Sequence, residues 1–427
     1  MKRMMSACSL PVALFSLVSL LCVDGFLAAG EPSAEPEPQK VVDAGPLRFT
    51  ETRLLFNYTY SYAVVASDLD GDGDLDITSS DAEPNSQLYL LLNDGKGNFK
   101  HSFIQKYMME EDQPVRLERH AHGDVNGDGR PDVVIVDNLK WDIRWFEHPG
   151  NDAITKPWKL HRVAEPKEVP GSYDVALSDL DGDGDLDVAA SSWRFGNRFD
   201  WFENVGSPGN GLKWQRREID GEIGETRTIV VADFSRDGKP DLLGTSRTGN
   251  TVMWYENSGK PKTDQWKKHI IDDKTGGPAH GHAVDLDGDG DLDVIMTYGI
   301  AFGTKPESHQ VAWYENVGKP GLGTEWKKHK IVEKFPSGFE VVAGDLDGDK
   351  DLDLVATGWT ASGQIVWIEN TGDPKTGWKM HPLKQNWTNA VTVIVGDFNK
   401  DGRLDIAAAA ERTDNEIRWW RNEGKIK

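Results

Sequence analysis

An acidic nonapeptide recurs seven times along the 427-residue chain and narrows its possible folds more than any other feature. "DLDGDGDLD" begins at Asp68, Asp179 and Asp285. Its variants are "DVNGDGRPD" from Asp124, "DFSRDGKPD" from Asp233, "DLDGDKDLD" from Asp345 and "DFNKDGRLD" from Asp397. Successive starts lie 56, 55, 54, 52, 60 and 52 residues apart. Two other signals keep the same beat. A "WFEN"-like segment follows each nonapeptide ("LYLLLND", "RWFEH", "DWFEN", "MWYEN", "AWYEN", "VWIEN", "RWWRN"). After six of these comes a segment opening with an aromatic, such as "WKKHII" from Trp266. Aromatic and β-branched enrichment with Gly, Asn and Asp punctuation makes each unit four short strands. A four-stranded repeat of roughly 40 to 55 residues is a propeller blade. The seventh aromatic strand is missing at the C-terminus, but "RFTETRLL" from Arg48 supplies its equivalent. The expected fold is therefore an all-β, seven-bladed propeller over residues 46–427, closed by an N-terminal strand that pairs with the last blade and removes free sheet edges.

Carboxylates a few Å apart repel by roughly 4 kcal/mol per pair at an effective dielectric near 20, so these turns need a cation. Positions 1, 3, 5 and 9 offer side-chain oxygens. The ligand sets are Asp68, Asp70, Asp72 and Asp76; Asp124, Asn126, Asp128 and Asp132; Asp179, Asp181, Asp183 and Asp187; Asp233, Ser235, Asp237 and Asp241; Asp285, Asp287, Asp289 and Asp293; Asp345, Asp347, Asp349 and Asp353; Asp397, Asn399, Asp401 and Asp405. Gly at position 6 permits the tight turn that lets position 7 present its carbonyl. Hard oxygen donors in a flexible loop suit Ca²⁺, up to seven ions. The twelfth positions, such as Ser79, Ala190 and Met296, lack the Glu of an EF-hand. Fewer charges weaken binding, which makes the Asp233 loop the weakest. Lys350 in place of the turn Gly strains the Asp345 loop without removing a ligand.

These loops resemble those of the FG-GAP/VCBS repeat proteins and of integrin α-subunit propellers, in which the Asp-rich loop joins the first two strands of a blade and binds calcium. The resemblance covers essentially residues 46–427. The Phe-Gly and Gly-Ala-Pro signatures of the repeat are absent, which separates the chain from integrin-type partners.

Lys2 and Arg3, the apolar run Leu10–Val23 and the small residues Ala28, Ala29 and Gly30 give residues 1–30 the pattern of a secretory signal. Both cysteines, Cys8 and Cys22, fall within it, and "EPSAEPEPQK" makes residues 31–45 a Pro- and Glu-rich tether. The expected location is secreted, periplasmic or cell-surface. No later segment is long and apolar enough to insert into a membrane. A net charge of -22 argues against nucleic acid and anionic membranes as partners.

Ligands are expected on the face opposite the acidic loops, because variation among blades concentrates there. Just ahead of the innermost strands the sequence places Tyr62, Arg119, His120, His122, Tyr173, Asp174, Arg227, His280, His282, Glu340 and Asn389, and the same-face loops hold Trp141, Trp193, Phe195, Tyr298, Phe302, Trp359 and Trp387. Aromatic platforms beside Arg, His and Glu suit a carbohydrate or protein ligand. The alternative is a sugar-active lyase or dehydratase with Arg119, His120, His122, Asp174, Arg227, His280, His282 and Glu340 as its candidate catalytic residues, the histidines holding zinc or acting as a base. A weaker resemblance, to the propeller part of aldos-2-ulose dehydratases and to propeller-type polysaccharide lyases, implies the same placement of His, Tyr and Arg. His101, His161, His269, His329 and His381 recur in register and mark a repeat feature of the outer blade edge. Nucleophile-elbow, phosphate-loop and HExxH patterns are missing, so hydrolysis by those routes is unsupported.

Overall fold

The computed structural model describes residues 37–56, 60–82, 86–106, 108–110, 113–206, 208–300, 305–318, 320–360 and 363–427. The signal-like segment and both cysteines lie outside them, as does Phe302.

In blade 1, Ser61–Ser67, Asp76–Asp81, Gln87–Asn93 and Phe99–Gln105 pair antiparallel in chain order, innermost strand first. The innermost strands of the following blades are Leu117–Gly123, Ser172–Ser178, Thr226–Ala232, Pro278–Val284, Gly338–Gly344 and Ala390–Gly396. Each packs on the next, and the last returns to the first, so seven blades close a ring. Blade 7 takes its outer strand from the N-terminus: Leu47–Leu55 lies antiparallel to Glu416–Lys425, with Glu51 opposite Trp420. This is the expected closure. Lys40–Ala44, read as tether in the sequence, adds a fifth strand outside it, with Val41 opposite Thr50.

The sequence explains the layering. The second strand of every blade, for example "DVAASS" or "DIAAAA", is buried along its whole length. A strand covered by blades on both sides has no solvent face, so it does not alternate. The third strands bury Trp145, Trp201, Trp254, Trp313, Trp367 and Trp420 between blades. In three blades that Trp stacks on the recurring His, Trp145 on His161, Trp254 on His269 and Trp313 on His329, and in a fourth Trp367 meets His381 at a tilt of 34°. Each of these histidines also hydrogen-bonds the Glu of its own "WFEN" segment, at 2.7 to 2.8 Å.

One irregularity places the functional side chains. In all seven blades the register between the first two strands shifts near the start of the innermost strand, as between Ser172 and Asp174 or between Gly338 and Val341. A bulge leaves residues unpaired and re-aims their side chains. Here the bulged residues include Tyr62, Arg119, Tyr173, Arg227, His280 and Glu340.

Candidate functional site

The acidic loops share one architecture. The first-position Asp closes the turn by accepting the sixth-position N–H on Oδ2, as in Gly73 to Asp68 (3.0 Å) and Gly184 to Asp179 (3.0 Å). Gly73 and Gly184 have φ of 87° and 97°, and Lys350 is held at 80°. The ninth-position Asp joins the loop to the sheet: Asp187 Oδ2 accepts Leu180 N–H at 3.0 Å and Oδ1 accepts Asn204 N–H at 2.8 Å. Burial is the main influence on these ninth carboxyls. It raises Asp76, Asp132, Asp293, Asp353 and Asp405 to about 7, Asp187 to about 8 and Asp241 to about 6, against their backbone hydrogen bonds.

The copies divide into two kinds. Among the described residues, three carboxylate donors lie within 4.8 Å of one another in the loops of Asp68, Asp179, Asp285 and Asp345. Buried Asp181 Oδ1, Asp285 Oδ1 and Asp287 Oδ1 have no hydrogen-bond partner, which fits a cation. Lys262 of blade 4 reaches into the Asp179 loop, 2.7 Å from Asp181 and 2.9 Å from Glu203. The other three loops carry their own cation at position 7, where Arg130, Lys239 and Arg403 pair with Asp128, Asp237 and Asp401. These same three have Asn126, Ser235 and Asn399 at position 3.

The residue ending the "WFEN" strand is a latch between blades, a role the sequence reading missed. Asn93 Nδ2 donates to Phe398 O, Asn204 to Val125 O, Asn257 to Leu180 O and Asn422 to Leu346 O, at 2.7 to 2.9 Å. Each acceptor is the second residue of the preceding blade's acidic loop. His148 replaces Asn in blade 2 and reaches Leu69 O through Nε2 at 2.8 Å. The recurrence of Asn after Glu was the available signal.

Among the described residues, the channel holds two cavities rather than one mouth. Between them lies a buried layer: Tyr62 Oη and Tyr173 Oη are 2.5 Å apart, His280 Nε2 is 2.9 Å from Tyr173 Oη, and Arg227 Nη1 donates to that hydroxyl at 2.8 Å. Phe339 completes it, edge-on to Tyr62. Toward the acidic loops is an inner cavity of about 470 Å³ containing Arg119, His120, Asp174, His280, His282 and Glu340. Arg119 donates to Asp174 (3.1 Å) and Glu340 (2.7 Å), and His282 Nε2 is 3.5 Å from Glu340. Burial raises Asp174 to about 6 despite Arg119. Burial also pushes Glu340 up, but Arg119 and His282 outweigh it and leave Glu340 lowered.

The candidate catalytic residues therefore lie within the innermost strands rather than ahead of them: Arg119, His120, Asp174, His280, His282 and Glu340 line the inner cavity, and Arg227 lines the mouth. The histidines also serve the packing. His120 and His122 each bond Thr78 Oγ1 of blade 1 at 2.7 Å, and His122 Nδ1 bonds Ser67 at 2.7 Å. Burial lowers His122 to about 3 and holds His120 and His280 well below the usual range. Among the described residues, the groups of three or more His, Cys, Asp or Glu donors close enough to share an ion do not include these histidines.

On the face away from the loops, the mouth is a cavity of about 370 Å³ lined from all seven blades. It contains Tyr60, Tyr62, Trp193 and Trp359, the arginines Arg116, Arg194, Arg227, Arg247 and Arg412, and the acids Glu118 and Glu411. Of the aromatics expected on this face, Trp193, Trp359 and Tyr173 line the cavity. Trp141 sits beside a neighbouring cleft, 5.3 Å from the exposed ring of Phe195. Tyr298 is buried and bonded to Tyr314. Trp387 is buried, donating to Glu416 at 2.8 Å. Asn389 has φ of 56° and its N–H bonds Thr360 O. Sequence reasoning missed Arg116 just ahead of an innermost strand, Glu118 inside it, and Arg194, Arg247, Glu411 and Arg412 just after second strands.

A family model described as an FG-GAP-like repeat matches residues 124–190, 179–244, 233–296 and 345–408. No curated protein sequence matches the chain. Solved structures share the fold at low identity. A catalytically inactive histidine-to-alanine variant of virginiamycin B lyase from Staphylococcus aureus, with quinupristin, has a TM-score of 0.56 at 16% identity, covering 87% of this chain and 99% of that one. BBS1N in complex with ARL6DN, soaked with lead, has a TM-score of 0.52 at 10% identity, covering 90% and 96%.

Proposed function

The chain belongs to the FG-GAP-like repeat family, and on that premise we propose that it is an exported, calcium-stabilised propeller that binds a carbohydrate or protein ligand at the channel mouth opposite its acidic loops. The observation that carries this reading is the 370 Å³ cavity itself, to which every blade contributes and whose lining mixes aromatic rings with arginines and glutamates. A pocket of this size with convergent polar groups is what a ligand site requires. A signal-like N-terminus supports export to a calcium-rich, oxidising compartment, and no helix among the described residues is long and apolar enough to cross a membrane.

We assign calcium first to the four loops with clustered carboxylates; in the other three, Asn126, Ser235 or Asn399 supplies the third oxygen and Arg130, Lys239 or Arg403 offsets one carboxylate, so these bind more weakly. Bound calcium stabilises the fold because the unfolded chain has no such cage. Elemental analysis of the purified mature protein should give between four and seven calcium per chain, the four loops with clustered carboxylates filling first, and EGTA should lower its melting temperature. An unchanged melting curve with no calcium recovered would overturn the calcium reading. The mouth is tested separately by ligand titration with Trp193→Ala and Trp359→Ala.

A second reading, the lyase or dehydratase, draws on one observation: Tyr173, hydrogen-bonded to His280 and Arg227, forms the floor of the mouth. In such a reaction a base takes a carbon-bound proton, the electron pair becomes a double bond and the leaving oxygen departs with a proton. Unsaturated product formed by the native protein and lost in Tyr173→Phe would support it, and a protein that binds but never turns over would exclude it.

A further inference from the structure

We infer that the mouth takes an acidic saccharide, one whose carboxylate or sulfate is held by arginines while its hydroxyls meet the two glutamates. The inference rests on the mouth being the ligand site, and it names the class of ligand.

Stacking geometry decides what the aromatics do. The guanidinium of Arg194 lies 4.2 Å from the Trp193 ring, and that of Arg227 lies 4.6 Å from Trp193 and 4.7 Å from Tyr173. Arg412 lies 5.3 Å from Tyr60 and 5.7 Å from Trp359. The rings thus carry guanidinium groups, which fixes planar donor forks around the cavity. Such forks match carboxylate and sulfate oxygens. Arg227 is only 6% exposed, yet its Nε has no hydrogen-bond partner.

Internal carboxylates leave this charge incompletely answered. Glu225 pairs with Arg194 and Arg247, and Glu411 with Arg412. Glu118 is buried, and burial raises its carboxyl to about 8, so it is largely neutral at pH 7. In a chain of net charge -22, a cavity with five arginines is a local reversal of sign that favours an anion. Glu118 Oε2 and Glu411 Oε2 are buried without partners. Two buried carboxyl groups, each with an oxygen free of partners, suit neighbouring sugar hydroxyls, which a simple inorganic anion lacks. The concave volume of about 370 Å³ fits one or two sugar rings rather than a protein surface, whose stable interfaces bury on the order of 1,600 Å².

The test is calorimetric titration of the calcium-loaded full chain with three probes: a galacturonate trisaccharide, its methyl ester and a sulfated galactose trisaccharide. Binding of either acidic probe at least ten-fold tighter than the ester, weakening with salt, is the expected result; the better of the two identifies the anion. Arg194→Gln and Arg412→Gln are exposed enough to fold, and each should weaken the acidic probe about ten-fold while leaving the ester nearly unchanged. Ester and acid binding equally would overturn the acidic class but keep a saccharide site. No saccharide binding by folded protein would overturn both this inference and the saccharide form of the binding-module reading.

Discussion

Lys350 holds a φ of 80° where other acidic loops place Gly at 81° to 97°. A left-handed conformation costs a non-glycine residue about 1 to 2 kcal/mol. Lys350→Gly should therefore stabilise by about 1 kcal/mol, part of the gain being lost to the more flexible unfolded chain, and a urea midpoint checks it. The strain was legible because the position is defined by its repeats. Glu118 was not: it stands one residue before Arg119, and only the bulge shows that it faces the mouth while Arg119 faces the inner cavity. Burial raises its carboxyl from the ordinary 4.5 to about 8, opposed by Arg116. The folded state thus holds a proton that the unfolded state releases above pH 4.5. Stability falls as pH rises through that window, and the loss is complete above pH 8. Glu118→Gln removes this dependence, so its stability relative to the native protein should grow from pH 5 to pH 8 in paired denaturant titrations. An equal difference at both pH values would exclude a buried, neutral Glu118.

At the scale of the strand, the repeats identified the blades because a period near 55 residues fixes element type even where single segments are ambiguous. What they hid is how blades are joined. The "WFEN" Asn reaches beyond its own strand: Asn257 Nδ2 donates to Leu180 O at 2.7 Å and to Pro240 O at 3.2 Å, while its Oδ1 accepts Gly259 N–H at 2.9 Å. Asn257→Ala leaves a buried carbonyl unsatisfied, a loss of about 1 to 3 kcal/mol, readable as a lower melting temperature. His148→Asn should cost far less, because Asn performs the same reach in blades 1, 3, 4 and 7. The mouth aromatics were only partly legible for a related reason. Tyr298 and Trp387 occupy loop-proximal positions like Trp193 and Trp359, but hydrogen bonds to Tyr314 and Glu416 turn them into the packing. Such long-range partners leave no trace in local spacing.

Across the whole ring, closure is the step on which the other features depend. The mouth, the layer and the latches all need seven blades at fixed separation, and the closing sheet is the one built from both ends of the chain. Leu47–Leu55 covers the Glu416–Lys425 edge and brings buried Glu51 to Arg418 Nη1 at 2.9 Å and to Lys384 Nζ at 2.8 Å. A chain that starts at residue 56 would expose an edge strand containing Trp419 and Trp420, an open template for pairing with another chain. It would also strip Arg418 and Lys384 of a buried carboxylate partner, a destabilising change when one side of such a pair is removed. The truncated protein should therefore melt lower and self-associate with rising concentration, as followed by light scattering. Adding a synthetic peptide of residues 38–56 should restore a monomer and recover most of the melting temperature, because the missing strand binds only the folded edge. A truncated chain that stays monomeric and melts like the full one would mean that packing between blades holds the ring without this clasp.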